Sequence, residues 1–448
     1  MLWEHAAQAA LTSADWAAAL EQAGQAGELY RQGGDTRAAA RAQAIAGRAL
    51  RLWGRYAQAR EQLTAAVAVL RDNPGTDTVQ ALGELAALEA FAGPSEADAL
   101  TAEALTLGQD LAVDDATLAE LFTTRGWWLG HAGRRQPEAA SYFREAARLA
   151  TQAGDTLALG RALLSLSDVV TGTDPAAAAE AARAAAAHAR QAGARYNLAV
   201  AVVNLAQALL MTGDWDGAEA ELAQALDGDG LADIEFLACN RAWVVALRGD
   251  TETAGTVLAG LGDLRASEDP QDQATIAAVE AFTAAARAQP DTALRCARAV
   301  LGHADALGIS WDFLRWAWPL AARAAHDLAA TATTTELLAI LDGYQPGQLA
   351  PTQRAERDLA RARLTTGDGG PDAGAAFTSA VAGLRQHSTP YHLAHGLLDH
   401  AEHLLRLGDD KAAESAIGEA RDIAGRLGCQ PLLDRADTTQ PATPRATA

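Results

Sequence analysis

The sequence predicts an all-α fold: an α-solenoid of about eleven helix-turn-helix units with a period of about 39 residues. Three observations predict it. One short phrase recurs along the chain, a Gly often followed by Asp and an aromatic residue, with Ala a few positions later. Runs of helical apolar period lie before and after each copy. Strand signals are weak, because β-branched residues are scattered, alternation is not sustained, and hairpin dipeptides are missing between such runs.

The copies follow one another in order. Ala14-Asp15-Trp16 opens the series, then Gly54-Arg55-Tyr56 and looser versions at Gly93, Gly133 and Gly172. Gly213-Asp214-Trp215 is the fullest form; Gly249-Asp250, Ala288, a degenerate position near Ala329, Gly367 and Gly408-Asp409 complete the set. Amphipathic runs flank each, such as Thr36–Trp53 and Tyr56–Leu70, or Tyr196–Thr212 and Trp215–Leu226. The Gly is expected to take the positive φ that ends the first helix. The Asp is expected to cap the second helix by accepting from its free N–H groups. The aromatic should pack between the two helices, and small residues should let them approach: Gly47 before the turn with Ala59, Leu63 and Ala66 after it, and Leu205 and Ala206 before the turn with Ala218, Leu222 and Ala225 after it. The solenoid is expected over 1–437, with irregular joints at 262–273 and 343–352; the tail 438–448, TTQPATPRATA, reads as disordered.

Composition narrows the function. The 448 residues carry 36 basic against 57 acidic side chains, a net charge of −21. That excess opposes direct nucleic-acid binding and an anionic membrane surface, since both repel it. No basic segment followed by an apolar core opens the chain, and no run approaches the ~18 apolar residues of a membrane helix. Cys239, Cys296 and Cys429 lie far apart and form neither a disulfide framework nor a metal knuckle, which suits a reducing cytoplasm. Lys411 is the one lysine and has no glycine-rich loop, so a phosphate-cradling P-loop is excluded. Asp227-Gly228-Asp229-Gly230 has the look of a calcium loop, but Ala238 stands where a bidentate Glu is needed, and it reads as a turn between units. No cofactor, metal or catalytic residue is expected.

The unit resembles the tetratricopeptide repeat. Gly47 and Gly126 match its early small residue, Gly213-Asp214-Trp215 its turn, and Ala59 and Ala66, or Ala218 and Ala225, its later small positions. The period exceeds the 34 residues of that family, and its terminal Pro is mostly missing; a HEAT-like array has a similar period. The resemblance implies an extended groove, lined by the first helix of each unit, that binds a protein, peptide or small effector. The stretches Thr389–Asp437, Ser310–Leu328 and Asp250–Asp272 are also similar to the C-terminal repeats of large actinobacterial signalling proteins. Those join a nucleotide cyclase or helix-turn-helix domain to a STAND-type ATPase and a repeat array. This likeness implies a non-catalytic regulatory sensor whose partner is a cyclase, an ATPase or a transcription regulator, or alternatively the detached regulatory part of a cyclase-like or LuxR-like ATP-binding regulator. The apolar stripe Leu2, Trp3, Ala6, Ala7, Ala10 and Leu11 fits an array that docks at its first unit or continues a longer regulator. An α/α-toroid enzyme is the remote alternative.

Several side-chain groups are candidates for partner binding. Arg37, Arg41, Arg48 and Arg51 form a basic ridge on one helix, and Arg354, Arg357 and Arg361 repeat the arrangement. Such ridges suit an acidic peptide or a phosphate, and equally arginines paired with Glu on adjoining helices. His392, His395, Asp399 and His403 share a helical face that suits a pH-sensitive patch, a divalent metal, or an ordinary polar surface. Trp311, Arg315 and Trp318 share a face that fits a stacking platform, and Trp127 and Trp243 are further aromatic candidates; packing between helices accounts for them equally. Pro319 is expected to kink or start a helix.

Overall fold

The computed structural model describes residues 1–92, 94–130, 135–365 and 373–439. Among them every regular element is helical and there is no strand. Eleven hairpins follow one another: α1 (Leu2–Thr12) with α2 (Trp16–Gln32), α3 (Thr36–Leu52) with α4 (Tyr56–Leu70), α5 (Thr76–Ala92) with α6 (Pro94–Asp110), α7 (Asp115–Gly130) with α8 (Gln136–Ala153), and α9 (Thr156–Val170) with α10 (Pro175–Ala192). Next come α11 (Arg195–Thr212) with α12 (Trp215–Ala223), and α13 (Glu235–Arg248) with α14 (Thr251–Gly260), then the short α15 (Gly262–Ala266). The last four are α16 (Pro270–Ala286) with α17 (Pro290–Leu301), α19 (Asp312–Asp327) with α20 (Thr331–Asp342), α21 (Pro351–Thr365) with α22 (Ala373–His387), and α23 (Pro390–Leu407) with α24 (Asp410–Leu427). The short α18 (Ala304–Leu307) precedes α19, and α25 (Gln430–Thr438) closes the array. Gly262–Gln273 holds α15 and the start of α16, and Gly343–Thr352 holds a 3₁₀ turn at Pro346–Gln348. Thr438 ends α25; the rest of the proline-containing tail, from 440, and the anchors Gly93, Gly133 and Gly367 lie outside the described residues. No described helix is long and apolar enough to cross a membrane.

The turn chemistry follows the repeated phrase. Asp15, Asp35, Asp155, Asp174, Asp214, Asp250 and Asp409 each accept from the backbone N–H three residues on, at 2.9–3.2 Å. Gly213 turns at φ 90°, and where the phrase lacks Gly, Ala14, Ala288 and Ala329 take the same left-handed conformation, at φ 61°, 54° and 52°. Gly172 differs, since it is absent from the positive-φ set. Its lack of a side chain serves close approach instead: a Cβ there would strike the Arg315 guanidinium.

The array coils tightly enough for successive coil turns to touch. Contacts recur between residues roughly 180–210 apart, about 4.5–5.5 repeats at ~39 residues each. The Trp16 ring meets Tyr196 edge-on at 5.4 Å, and Trp215 meets Tyr391 at 5.7 Å. Tyr56 donates to Asp269 at 2.7 Å, and the Cys429 thiol donates to the Leu247 carbonyl at 3.1 Å. Turns within hairpins rest on joints between later hairpins: a Cβ on Gly213 would lie 2.9 Å from Pro390, and one on Gly249 3.0 Å from Pro431. The invariant small residue of the phrase therefore does two jobs at these places, bending the chain and letting the next coil turn seat on it.

Where an open array would leave first helices lining a groove, α11 and α19 are buried on nearly every side, from Leu198 to Met211 and from Asp312 to Ala325. One apolar core runs from Ala140 to Ala436, whereas most of the earlier hairpins keep their buried residues in smaller separate groups. Its centre is aromatic. Trp243 packs on Phe313 at 4.8 Å and on Trp316 at 5.0 Å, and Trp316 packs on His392 at 4.7 Å. Helix α19 runs through Pro319 from Asp312 to Asp327, so no helix starts at that residue. Leu2 and Trp3 remain exposed, while Ala7, Ala10 and Leu11 of the same helix are buried.

Candidate functional site: a cleft between coil turns

A cavity of about 380 Å³ lies where α7, α8, α9 and the turn after α9 in one coil turn meet α18, α19 and the 343–352 joint of the next. It brings together Trp127, Trp311 and Arg315, three of the sequence candidates, from positions far apart in the chain. Local structure places each. Gly126 lets α7 and α8 pack closely, since a Cβ there would strike Phe143; Trp127 follows it at the rim and donates from Nε1 to Ser165 at 2.8 Å. Trp311 is the N-cap residue of α19 and half-buried. Ser310 holds the opposite wall by donating to the Gln348 carbonyl at 2.6 Å, and Gln353 donates to the Ile309 carbonyl at 2.7 Å. Arg315 is 3% exposed and ion-paired with Asp312. Burial pulls its guanidinium down to about 10, so it stays charged at neutral pH. The site thus offers aromatic edges, one buried cation and a mixed polar wall: it can grip a group with an aromatic or anionic end.

Other candidates are engaged within the fold. Arg37 pairs with Asp77, Arg41 with Glu4 at 2.7 Å, and Arg48 and Arg51 share Glu84 at 3.3 and 2.7 Å. Burial pushes the Glu84 carboxyl up, but Arg48 and Arg51 outweigh it and hold it at about 2. Arg354 donates to the Leu349 carbonyl at 2.7 Å, and Arg357 and Arg361 share Asp342 at 3.4 and 2.7 Å. Trp243 and Trp318 are fully buried, Trp318 donating to the Leu337 carbonyl at 2.8 Å, so the expected Trp311–Arg315–Trp318 platform is divided between cleft and core.

The histidine face is corrected most sharply. His392, His395, Asp399 and His403 are all buried, together with Leu397 and Ala401, whereas Leu393, Leu404 and Leu405 of the same helix are only half-buried. His392 has its N–H capped by Thr389 at 3.1 Å, and burial drives its imidazole well below the usual range. Asp399 accepts from Arg363 at 2.8 Å and Arg435 at 2.5 Å. His403 stacks on Phe377 at 5.1 Å. Among the described residues no group of three or more His, Cys, Asp and Glu is placed to hold a metal, and all three cysteines are free and buried. Asp229, of the calcium-loop lookalike, pairs with Arg190 at 2.8 Å.

Sequence reading missed Arg323, Glu356, Arg363 and Arg435, all buried or half-buried at the C-terminal end. A signal existed. Arg363–Asp399 and Asp399–Arg435 are each 36 residues apart, and Arg51–Glu84 and Arg161–Glu120 are 33 and 41 apart. Opposite charges one repeat apart fall at the same phase of neighbouring hairpins, so the period itself announces the pairs.

The fold defines a class: an all-α solenoid of stacked helical hairpins. No family model matches the chain, and no curated protein does. Among solved structures, it is similar to a Rap protein complexed with competence and sporulation factor, at 13% identity and TM-score 0.42 over 86% of this chain and 97% of that one. A monomeric IFIT1 mutant with m7Gppp-AAAA matches at 15% identity and TM-score 0.48, over 89% and 90%. A circular tandem repeat protein matches at 13% identity and TM-score 0.14, over 98% and 93%.

Proposed function

We propose that the chain is a non-catalytic binding scaffold of a bacterial signalling or transcription-regulating system, acting in the cytoplasm, whose protein, peptide or effector partner engages the cleft at Trp127, Trp311 and Arg315. The observation that carries this is the position of the cleft. Its two walls belong to different coil turns, so an occupant bridges segments that otherwise meet edge to edge. Binding there favours one coil pitch over others, and that bias is what a scaffold passes to a partner. The likeness of Thr389–Asp437 to the repeats of signalling proteins supports the regulatory setting, and the three free cysteines support the reducing compartment. The test is affinity capture from the source cells, with mass spectrometry for proteins and small molecules alike. A partner retained by the wild type and lost in Trp311→Ala, at unchanged melting temperature, is expected. Equal recovery by both, or none across conditions, removes the reading.

A further inference from the structure

A second cavity, of about 240 Å³, lies between α13, α16, α17, α19, α23 and α25, away from the cleft above. Leu247, Phe282, Leu320 and several alanines make its walls apolar, and Arg323 and Arg435 add a cationic side next to His395. Asp327, the one carboxylate among the lining residues, is exposed.

Arg323 is the anomaly. It is 7% exposed, and its Nε and Nη2 are both buried without a hydrogen-bond partner. Among the described residues no carboxylate lies within ion-pair distance of it; its guanidinium sits 5.8 Å over the Tyr391 ring. The same Nε–Nη2 edge grips a carboxylate elsewhere in this chain, Glu89 for Arg60 at 2.6 and 3.0 Å and Glu103 for Arg71 at 3.0 and 2.7 Å. A guanidinium does not shed its proton to escape burial, so an unpaired one in the interior costs free energy until an anion meets it. Glu356 feels its charge but does not pair with it, and burial raises that carboxyl to about 7.

His395 supplies a second unused donor. Arg435 Nη1 lies 3.1 Å from its Nδ1. Arginine only donates, so Nδ1 accepts and the ring proton sits on Nε2. That Nε2 is buried and has no partner. Burial, with the charges of Arg323 and Arg435, keeps the ring neutral by driving its pKa well below the usual range.

We propose that this cavity binds a small organic carboxylate with a compact apolar body, which the Arg323 guanidinium meets by turning its enclosed Nε–Nη2 edge into the lumen and whose body lies on the Phe282–Leu320 wall. The planar guanidinium edge matches a carboxylate bidentately. An apolar cavity of about 150 Å³ already accepts benzene, so the space admits an aromatic or branched acid. The site is independent of the cleft proposed above.

Titration calorimetry on the full chain at fixed ionic strength tests it with benzoate, its neutral isostere benzamide, and inorganic phosphate. Benzoate is expected to saturate one site, with benzamide and phosphate at least about tenfold weaker. Arg323→Met should weaken benzoate at least about tenfold while leaving the unliganded chain as stable as the wild type or more so, because it removes an unpaired buried charge. Should that variant not fold, Arg323→Lys keeps the charge, loses the fork, and is expected to weaken benzoate by a similar factor. Trp311→Ala should leave benzoate binding unchanged, which separates this site from the cleft. Equal binding of benzoate and benzamide, stronger binding of phosphate, no saturable benzoate binding, or unchanged benzoate affinity in the Arg323 variants overturns the proposal.

Discussion

The two ends of the array solve the same packing problem differently. In the N-terminal hairpins the first helices meet through charge: Arg41 on Glu4, Arg48 and Arg51 on Glu84, Arg161 on Glu120, with apolar residues mostly in small local groups. In the C-terminal hairpins they meet mainly through Trp243, Phe313, Trp316 and Tyr391 inside one extended core, and buried charge is gathered in the Asp312–Arg315 pair and the set around Asp399. Identical turn chemistry thus supports two interiors. The phrase that makes a hairpin does not decide what lies between hairpins.

The strongest way to break this contrast is to remove one residue from each interior. Trp316→Ala is expected to cost about 3–5 kcal/mol and Leu63→Ala about 2–5 kcal/mol in urea unfolding. Their footprints should differ. Hydrogen exchange should loosen from α13 to α25 for the first, and only near α3–α5 for the second; equal loosening of α19 by both would end the distinction.

Next in size is the seating of one coil turn on another. Gly213→Ala meets both a left-handed backbone and Pro390 at 2.9 Å, whereas Gly408→Ala, at φ 78°, meets nothing within 4 Å. Losses of about 2–3 kcal/mol and about 1 kcal/mol follow, read as a difference in thermal midpoint. Equal losses would mean that the coil turns are not pinned there.

The smallest effect sharpens the contrast in electrostatics. Glu84 is held near 2, below its unfolded value of about 4.3, so its contribution is present above that value and is lost as pH falls toward 2. Glu356 is raised to about 7, so its contribution is full below the unfolded value and is lost as pH rises through 7. Glu84→Gln should therefore flatten the acid limb of a stability–pH curve, and Glu356→Gln should raise stability at pH 8. Each change is about 1–2 kcal/mol after allowing for residual solvent screening. Slopes of the same sign for the two groups would refute the assignment.

Much of the hairpin was legible because it is local. Asp214 caps the helix that begins beside it, and Gly213 turns the helix that ends there; neither needs a distant partner. Ala288 and Ala329 were readable as anchors from spacing alone, although their left-handed backbone was not. The cleft was legible only in part. Trp127, Trp311 and Arg315 stood out as residue types, but nothing in a one-dimensional pattern joins position 127 to position 311. The histidine face was misjudged for a related reason: periodicity places His392, His395 and Asp399 on one side of α23 without saying which side packs against the neighbouring hairpins.

The sequence by itself determined the helices, their order, their caps and a period near 39 residues, since those depend on interactions spanning a few residues or one repeat. Only the tertiary structure decided how tightly the array winds. That winding is set by small rotations summed over several hairpins, and it is what buries α19, unites Trp127 with Trp311, and leaves Arg323 beside a cavity with its Nε and Nη2 unpaired.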